Sequence, residues 1–259
     1  VIEKVARFGY AAKGAVYLLL GYLSCYAAWS GRKPPSGSKG AMAYLLVAPF
    51  GEVILGMVAA GLFAYVLWRL IQAFLDPENK GRDAKGLWLR VFYFSIACAY
   101  SSVAIAALRL LTDHRATRDA GLAPIVAKVM DLPFGSFGVL ALAVGLLVFA
   151  ALQLKQGITS GFVQKLNLSR IPSQWTPAAI WSGRIGLSAR GIAFGTMAVL
   201  MSRAAMHHNP GEAKGLGGAL RTFQLQPWGE AALGGIGVGL AVYGIYSFVL
   251  AACRRIDAR

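Results

Sequence analysis

Acid is scarce in this sequence beside base. It holds 11 Asp and Glu against 26 Lys and Arg, and only 14% of its 259 residues are charged. A soluble domain of this length needs more charge to cover its surface. Histidine and cysteine are scarcer still, at three each. Cys25, Cys98 and Cys253 lack the paired spacing of a metal or redox motif and read as small packing residues. His114, His207 and His208 follow apolar stretches rather than lying within them. That placement argues against a metal site, and against haem, which needs histidines projecting into a bundle from mid-helix. No metal and no cofactor is therefore expected. Nucleophile elbows, phosphate loops, metalloprotease helices and dinucleotide fingerprints are missing too, so no enzymatic activity is expected. The glycine-rich run 211–218 does not fit a phosphate loop.

What is abundant is hydrophobicity: 57% of residues, with 31 glycines. Crossing a bilayer takes about 20 residues of helix. Six stretches qualify, roughly 8–30, 49–75, 90–111, 133–157, 185–206 and 228–253. The first exceeds a signal-peptide core and belongs to a repeated pattern, so it is read as a retained span. A net charge of +15 would suit a nucleic-acid binder in a soluble protein. Here the bases cluster at the ends of apolar stretches, and no nucleic-acid partner is expected.

The apolar stretches form three tandem copies of a two-helix unit, over 7–76, 90–157 and 184–254. Odd helices open on Arg7-Phe-Gly-Tyr-Ala-Ala-Lys13-Gly14 and Arg184-Ile-Gly-Leu-Ser-Ala-Arg190-Gly191, followed by Tyr17 and Phe194. The middle copy keeps Arg90 and Tyr100 but has Ile96 and Ala97 for the basic-glycine pair. Even helices open on Pro49-Phe-Gly-Glu52, Pro133-Phe-Gly-Ser136 and Pro227-Trp-Gly-Glu230. Gly61, Gly145 and Gly239 follow in register, then Tyr65, Phe149 and Tyr243. The prolines suit a first helical turn, and the three glycines suit close helix packing, as do Gly235 and Gly239 as a pair. Repeats with an even number of spans insert in one orientation. The expected fold is all-α: six transmembrane helices in three tandem repeats, related by a pseudo-threefold axis along the membrane normal or arrayed as a row of hairpins. Lys and Arg are in excess at both termini and in the loops near 76–90 and 155–184, which places both termini in the cytoplasm. Before each proline lies a short segment, over 40–47, 122–131 and 216–225, which could be an interfacial helix or an irregular loop.

The pattern resembles a bacterial family of membrane proteins, the domain of unknown function numbered 1206 (DUF1206). The resemblance rests on the two basic-glycine motifs, the proline-aromatic-glycine starts and Trp68-Arg69 with Asp76-Pro77. It implies three two-helix repeats in a bacterial plasma membrane and brings no mechanism.

Several residues are candidates for function. Lys13 and Arg190 are read as interfacial anchors that fix helix depth, or else as an anion or lipid-headgroup site together with Arg7, Arg90 and Arg184. Glu52 and Glu230 are read as helix-start residues on the outer side, or else as a cation site at an outer mouth. Arg69, Arg109 and Arg203 read as snorkelling side chains, and Trp68, Trp88, Trp175, Trp181 and Trp228 as interface aromatics. The functional expectation is a non-enzymatic accessory or assembly subunit of a membrane complex, or a lipid-binding scaffold. Its partners would be the bilayer, anionic lipids and another membrane protein. The alternative is a transporter or channel for a small anion along the pseudo-threefold axis. Against it stands a scarcity of polar residues at mid-span.

Overall fold

The computed structural model describes residues 2–46, 48–75, 83–113 and 122–254. These form nine α-helices: α1 (Ile2–Ser30), α2 (Gly37–Leu46), α3 (Gly51–Phe74), α4 (Ala84–Thr112), α5 (Leu122–Met130), α6 (Gly135–Thr159), α7 (Thr176–Met206), α8 (Leu216–Gln224) and α9 (Gly229–Cys253). The chain is all-α; a single bridge between Leu166 and Arg254 is the only strand-like pairing among the described residues.

Five helices, α3, α4, α6, α7 and α9, are long and apolar enough to cross a membrane, which points to a multi-pass membrane protein. The sixth expected span, α1, has 29 residues but is not among them. Glu3, Lys4, Arg7, Lys13 and four tyrosines dilute its hydropathy.

Each repeat is a long helix, a short helix and a second long helix. The segments left open between helix and loop are thus helical, as α2, α5 and α8. Between each short helix and the next long one lies the same tight turn. The Gly51 amide bonds the Ala48 carbonyl, Gly135 that of Leu132 and Gly229 that of Gln226, each at 2.9 Å. The prolines therefore sit in the turn ahead of the helix, where their fixed φ pre-forms the bend, rather than in the first helical turn. Phe50 and Phe134 take left-handed conformations, φ 60° and 61°. A Cβ on Gly51, Gly135 or Gly229 would land on the carbonyl oxygen of Leu45, Val129 or Gln224, at the end of the short helix. The glycine of the proline-aromatic-glycine motif is thus a close-approach residue. Gly135→Ala should cost about 2 kcal/mol, since the obstacle is backbone, and would show as a lower melting temperature of the purified protein.

The six long helices lie in an arc, in the order α4, α3, α1, α9, α7, α6. Seams between successive repeats are tight in all three cases, α3 with α4, α6 with α7 and α9 with α1. The α9–α1 seam is nearly backbone on backbone. A Cβ on Gly244 would lie 2.7 Å from the Leu18 nitrogen, and one on Gly237 would lie 2.8 Å from the Cys25 sulfur. The small-residue seam of α9 is therefore Gly237 and Gly244. Gly235 faces open space.

Within the outer repeats the two long helices also touch, through equivalent residues. Gly9 lies against the Tyr65 backbone and Gly186 against that of Tyr243. Gly61 packs on Ala12, and Gly239 on Ala189. The middle repeat breaks this rule: α4 and α6 barely meet. Phe92 occupies the position of Gly9 and Gly186, and its ring meets that of Phe149 with centroids 5.6 Å apart. A ring where two backbones should touch wedges the helices apart. Gly145 consequently has nothing around it, contrary to the packing role expected from its register.

Candidate functional site: a cationic cluster in a cage of tyrosines

The repeat-equivalent aromatics meet across the three inter-repeat seams. Tyr17 of α1 stands edge-on to Tyr243 of α9, with centroids 4.8 Å apart. Tyr100 of α4 meets Tyr65 of α3 at 4.8 Å, and Phe194 of α7 meets Phe149 of α6 at 5.2 Å. Edge-to-face pairs of this kind exploit the ring quadrupole. They leave electron-rich faces and, in four of six cases, phenol hydroxyls for a neighbouring charge.

Three cations use them. Arg190, near the middle of α7, donates to the hydroxyls of Tyr243 at 2.9 Å and Tyr17 at 3.2 Å. Its guanidinium also lies 5.0 Å from the ring centre of Phe149. Arg69 donates to the Tyr65 hydroxyl at 2.7 Å and to the Gln72 amide oxygen at 2.8 Å. It lies 5.3 Å from the Tyr93 ring. The Lys13 ammonium sits among Tyr10, Tyr65 and Tyr243, 5.8, 5.3 and 4.9 Å from their centres, and donates a hydrogen bond to no described residue.

All three are buried: Lys13 is 3% exposed, Arg190 7% and Arg69 8%. This corrects two expectations. Lys13 and Arg190 do not reach an interface as anchors, and Arg69 does not snorkel. Lys13 and Arg190 lie near mid-helix, where polar residues were thought scarce, and Arg69 lies in the last two turns of α3. Trp68, expected at the interface, is fully buried, and its indole nitrogen has no partner among the described residues.

Among the described residues no carboxylate pairs with Lys13, Arg69 or Arg190. Taking a cation out of water is costly unless something pairs it. Ring faces and phenol oxygens offset part of that cost, about 2 kcal/mol for a desolvated cation–π contact. The arrangement is therefore chemically suited to receive an anion.

The other sequence candidates lie elsewhere. Arg7 pairs with Glu3 at 2.7 Å and donates to the carbonyls of Ala251 and Ala252, capping the end of α9. A cation there also suits the negative end of the helix dipole. Arg184 stacks over Trp181 at 4.7 Å. Arg90 is half-buried near the start of α4. Glu52 and Glu230 occupy the exposed first turns of α3 and α9, on the opposite side from Arg7. A shallow apolar depression at the start of α7, lined by Ser173, Thr176, Pro177, Ile180 and Trp181, lies apart from the cluster.

His114 lies outside the described residues. Among those described, no three histidine, cysteine or acidic side chains come together as metal ligands. His207 instead bonds Glu212 at 3.0 Å, and Arg203 approaches the same carboxylate at 3.3 Å. These two hold the Glu212 carboxyl below its usual range, the hydrogen bond from His207 first. A depressed carboxylate stabilises the fold above its unfolded pKa, and that contribution is lost as pH falls through the folded one. Glu212→Gln should therefore leave a melting temperature that falls less steeply than the parent's below about pH 4.5.

A helical membrane protein of three tandem repeats with a charged, aromatic centre is the class so defined. The chain belongs to the DUF1206 family (Domain of Unknown Function), which it matches three times, over 8–76, 91–160 and 185–254. It is 32% identical over 250 residues to a Bacillus subtilis (strain 168) protein described as Uncharacterized protein YxxB, covering 96% of this chain and 90% of that one. No solved structure matches it.

Proposed function

We propose that this protein is a non-enzymatic, six-span membrane protein of the bacterial plasma membrane that binds one anionic group at the centre of its bundle. Lys13, Arg69 and Arg190 supply the charge, and Tyr17, Tyr65 and Tyr243 orient it. The observation that carries this reading is the burial of three cations with phenols around them and no carboxylate beside them among the described residues. The sixth span is α1, whose apolar part follows Lys13. Both termini are cytoplasmic, from the excess of bases on their side. An anion site of this kind serves a lipid-binding scaffold or an accessory subunit of a membrane complex.

A carrier for small anions is the second reading. Its support is the place of Arg190, at mid-helix where transport sites lie. Uptake of labelled phosphate or sulfate into vesicles holding the purified protein separates the two, since a scaffold gives no flux.

The binding itself is tested by equilibrium dialysis of the purified chain with labelled inorganic phosphate. Lys13→Gln combined with Arg190→Gln should weaken binding at least tenfold, about 1.4 kcal/mol. Failure of the parent protein to bind phosphate, sulfate, a short carboxylate or an anionic lipid would end this reading.

A further inference from the structure

The cationic cluster lies behind the one seam of the bundle that does not close. Arg69 touches Tyr93 on α4, and Arg190 touches Phe149 on α6, so the two guanidiniums flank the break between those helices. The break is written into the sequence at Phe92, which takes the place of the glycines that close the outer repeats. At the position equivalent to Lys13 and Arg190, α4 carries Ile96, apolar and half-buried. At the position equivalent to Arg69, α6 carries Gln153, whose buried amide nitrogen has no partner among the described residues. Both helices present large apolar residues outward, including Val91, Phe94, Ile105, Leu142, Val144 and Leu147.

We infer that the occupant is a membrane amphiphile with an anionic phosphate or carboxylate head. Its head seats among Lys13, Arg69 and Arg190, and its acyl chain leaves sideways between α4 and α6, over Phe92, Ile96 and Phe149. This rests on the anion-site reading and adds the source of the anion and its route. A soluble anion would need an aqueous path, whereas a chain held in the bilayer meets the break directly. Charge complementarity selects the head: three cations with no carboxylate beside them among the described residues disfavour a zwitterion carrying its own ammonium. The apolar lining selects the tail.

The test uses the full chain in detergent micelles and native mass spectrometry. Dioleoyl phosphatidic acid, oleate and dioleoyl phosphatidylcholine are titrated separately, with inorganic phosphate binding measured in parallel by dialysis. Phosphatidic acid or oleate should bind one per chain, at least tenfold tighter than phosphatidylcholine. Lys13→Gln with Arg190→Gln should remove that preference. Phe92→Gly, which restores the repeat's glycine and lets α4 approach α6, should weaken the anionic amphiphile about tenfold and leave phosphate binding unchanged. Ile96→Trp, which fills the break without removing a charge, should likewise weaken the anionic amphiphile should the glycine variant fail to fold. Equal binding of phosphatidic acid, oleate and phosphatidylcholine, with phosphate still bound, would overturn the lateral route and keep the anion site. So would folded Phe92→Gly and Ile96→Trp proteins that hold the amphiphile as before. No preference for any anion, free or acylated, would overturn both.

Discussion

Gly21→Leu should lower the stability of the purified protein by about 3 kcal/mol, the upper range for overpacking. The reason is that nothing near it can move cheaply. A Cβ on Gly21 would strike the backbone of Ala241 and Gly237 on α9, not the end of a flexible side chain. The α1–α9 seam is also the most extensive in the molecule, and it holds the first repeat to the third. It sets the distance between Tyr17 and Tyr243 as well, so the damage should reach the hydroxyls that hold Arg190. Gly56→Leu and Gly138→Leu are the controls. Both glycines are helical with open space around them, and replacing either should be neutral or stabilising by up to about 1 kcal/mol, the helix propensity of glycine being poor. The readout is the midpoint of unfolding in mixed detergent. Equal midpoints for all three variants would refute the close-packed seam.

The repeats and the long helices were legible because they depend on local chemistry: glycine for a close approach, apolar runs of membrane length. The prolines marked where each even helix begins but were read one turn too late, since they form the bend ahead of it. The facing of each helix was not. Lipid is as apolar as a protein core, so a buried face and a lipid face carry the same residues. Gly145 and Gly239 have equivalent registers, yet one is open and the other lies on Ala189. Arg69 looked like an end-of-span arginine for the same reason. Its burial comes from the rotation of α3 about its own axis, which places it against Tyr65 and Tyr10.

A usable signal was nevertheless present. The aromatics in register across three copies, Tyr17, Tyr100 and Phe194 with Tyr65, Phe149 and Tyr243, each suggest little alone. Taken together, equivalent positions in tandem repeats that pack side by side lie at one level of the bundle. They mark the centre, and any cation within one helical turn of them becomes a central cation. The middle repeat shows the complementary lesson. Its loss of charge at Ile96 is conspicuous, but the change that reshapes the bundle is Phe92, a bulky residue at a glycine position with no obvious chemistry of its own.

Ile96 supplies the strongest test of the electrostatics. It sits on α4 at the register of Lys13 and Arg190, packed against the core that holds Tyr17, Tyr65 and Tyr243. Ile96→Glu would give the three cations an internal counter-charge. With no anion present, this variant should be more stable than Ile96→Gln, a neutral side chain of similar shape, by about 2 kcal/mol, since a buried charge lacking its partner is penalised by several. The same carboxylate should compete with any external anion and weaken its binding about a hundredfold, about 2.7 kcal/mol. The two effects must appear together, because one contact produces both. If position 96 faced lipid instead, glutamate would be the costlier residue by about 2–3 kcal/mol, and the order of the two variants would reverse. The sign of the difference between Glu and Gln, measured by unfolding in mixed detergent, thus reports whether the centre of the bundle lacks negative charge.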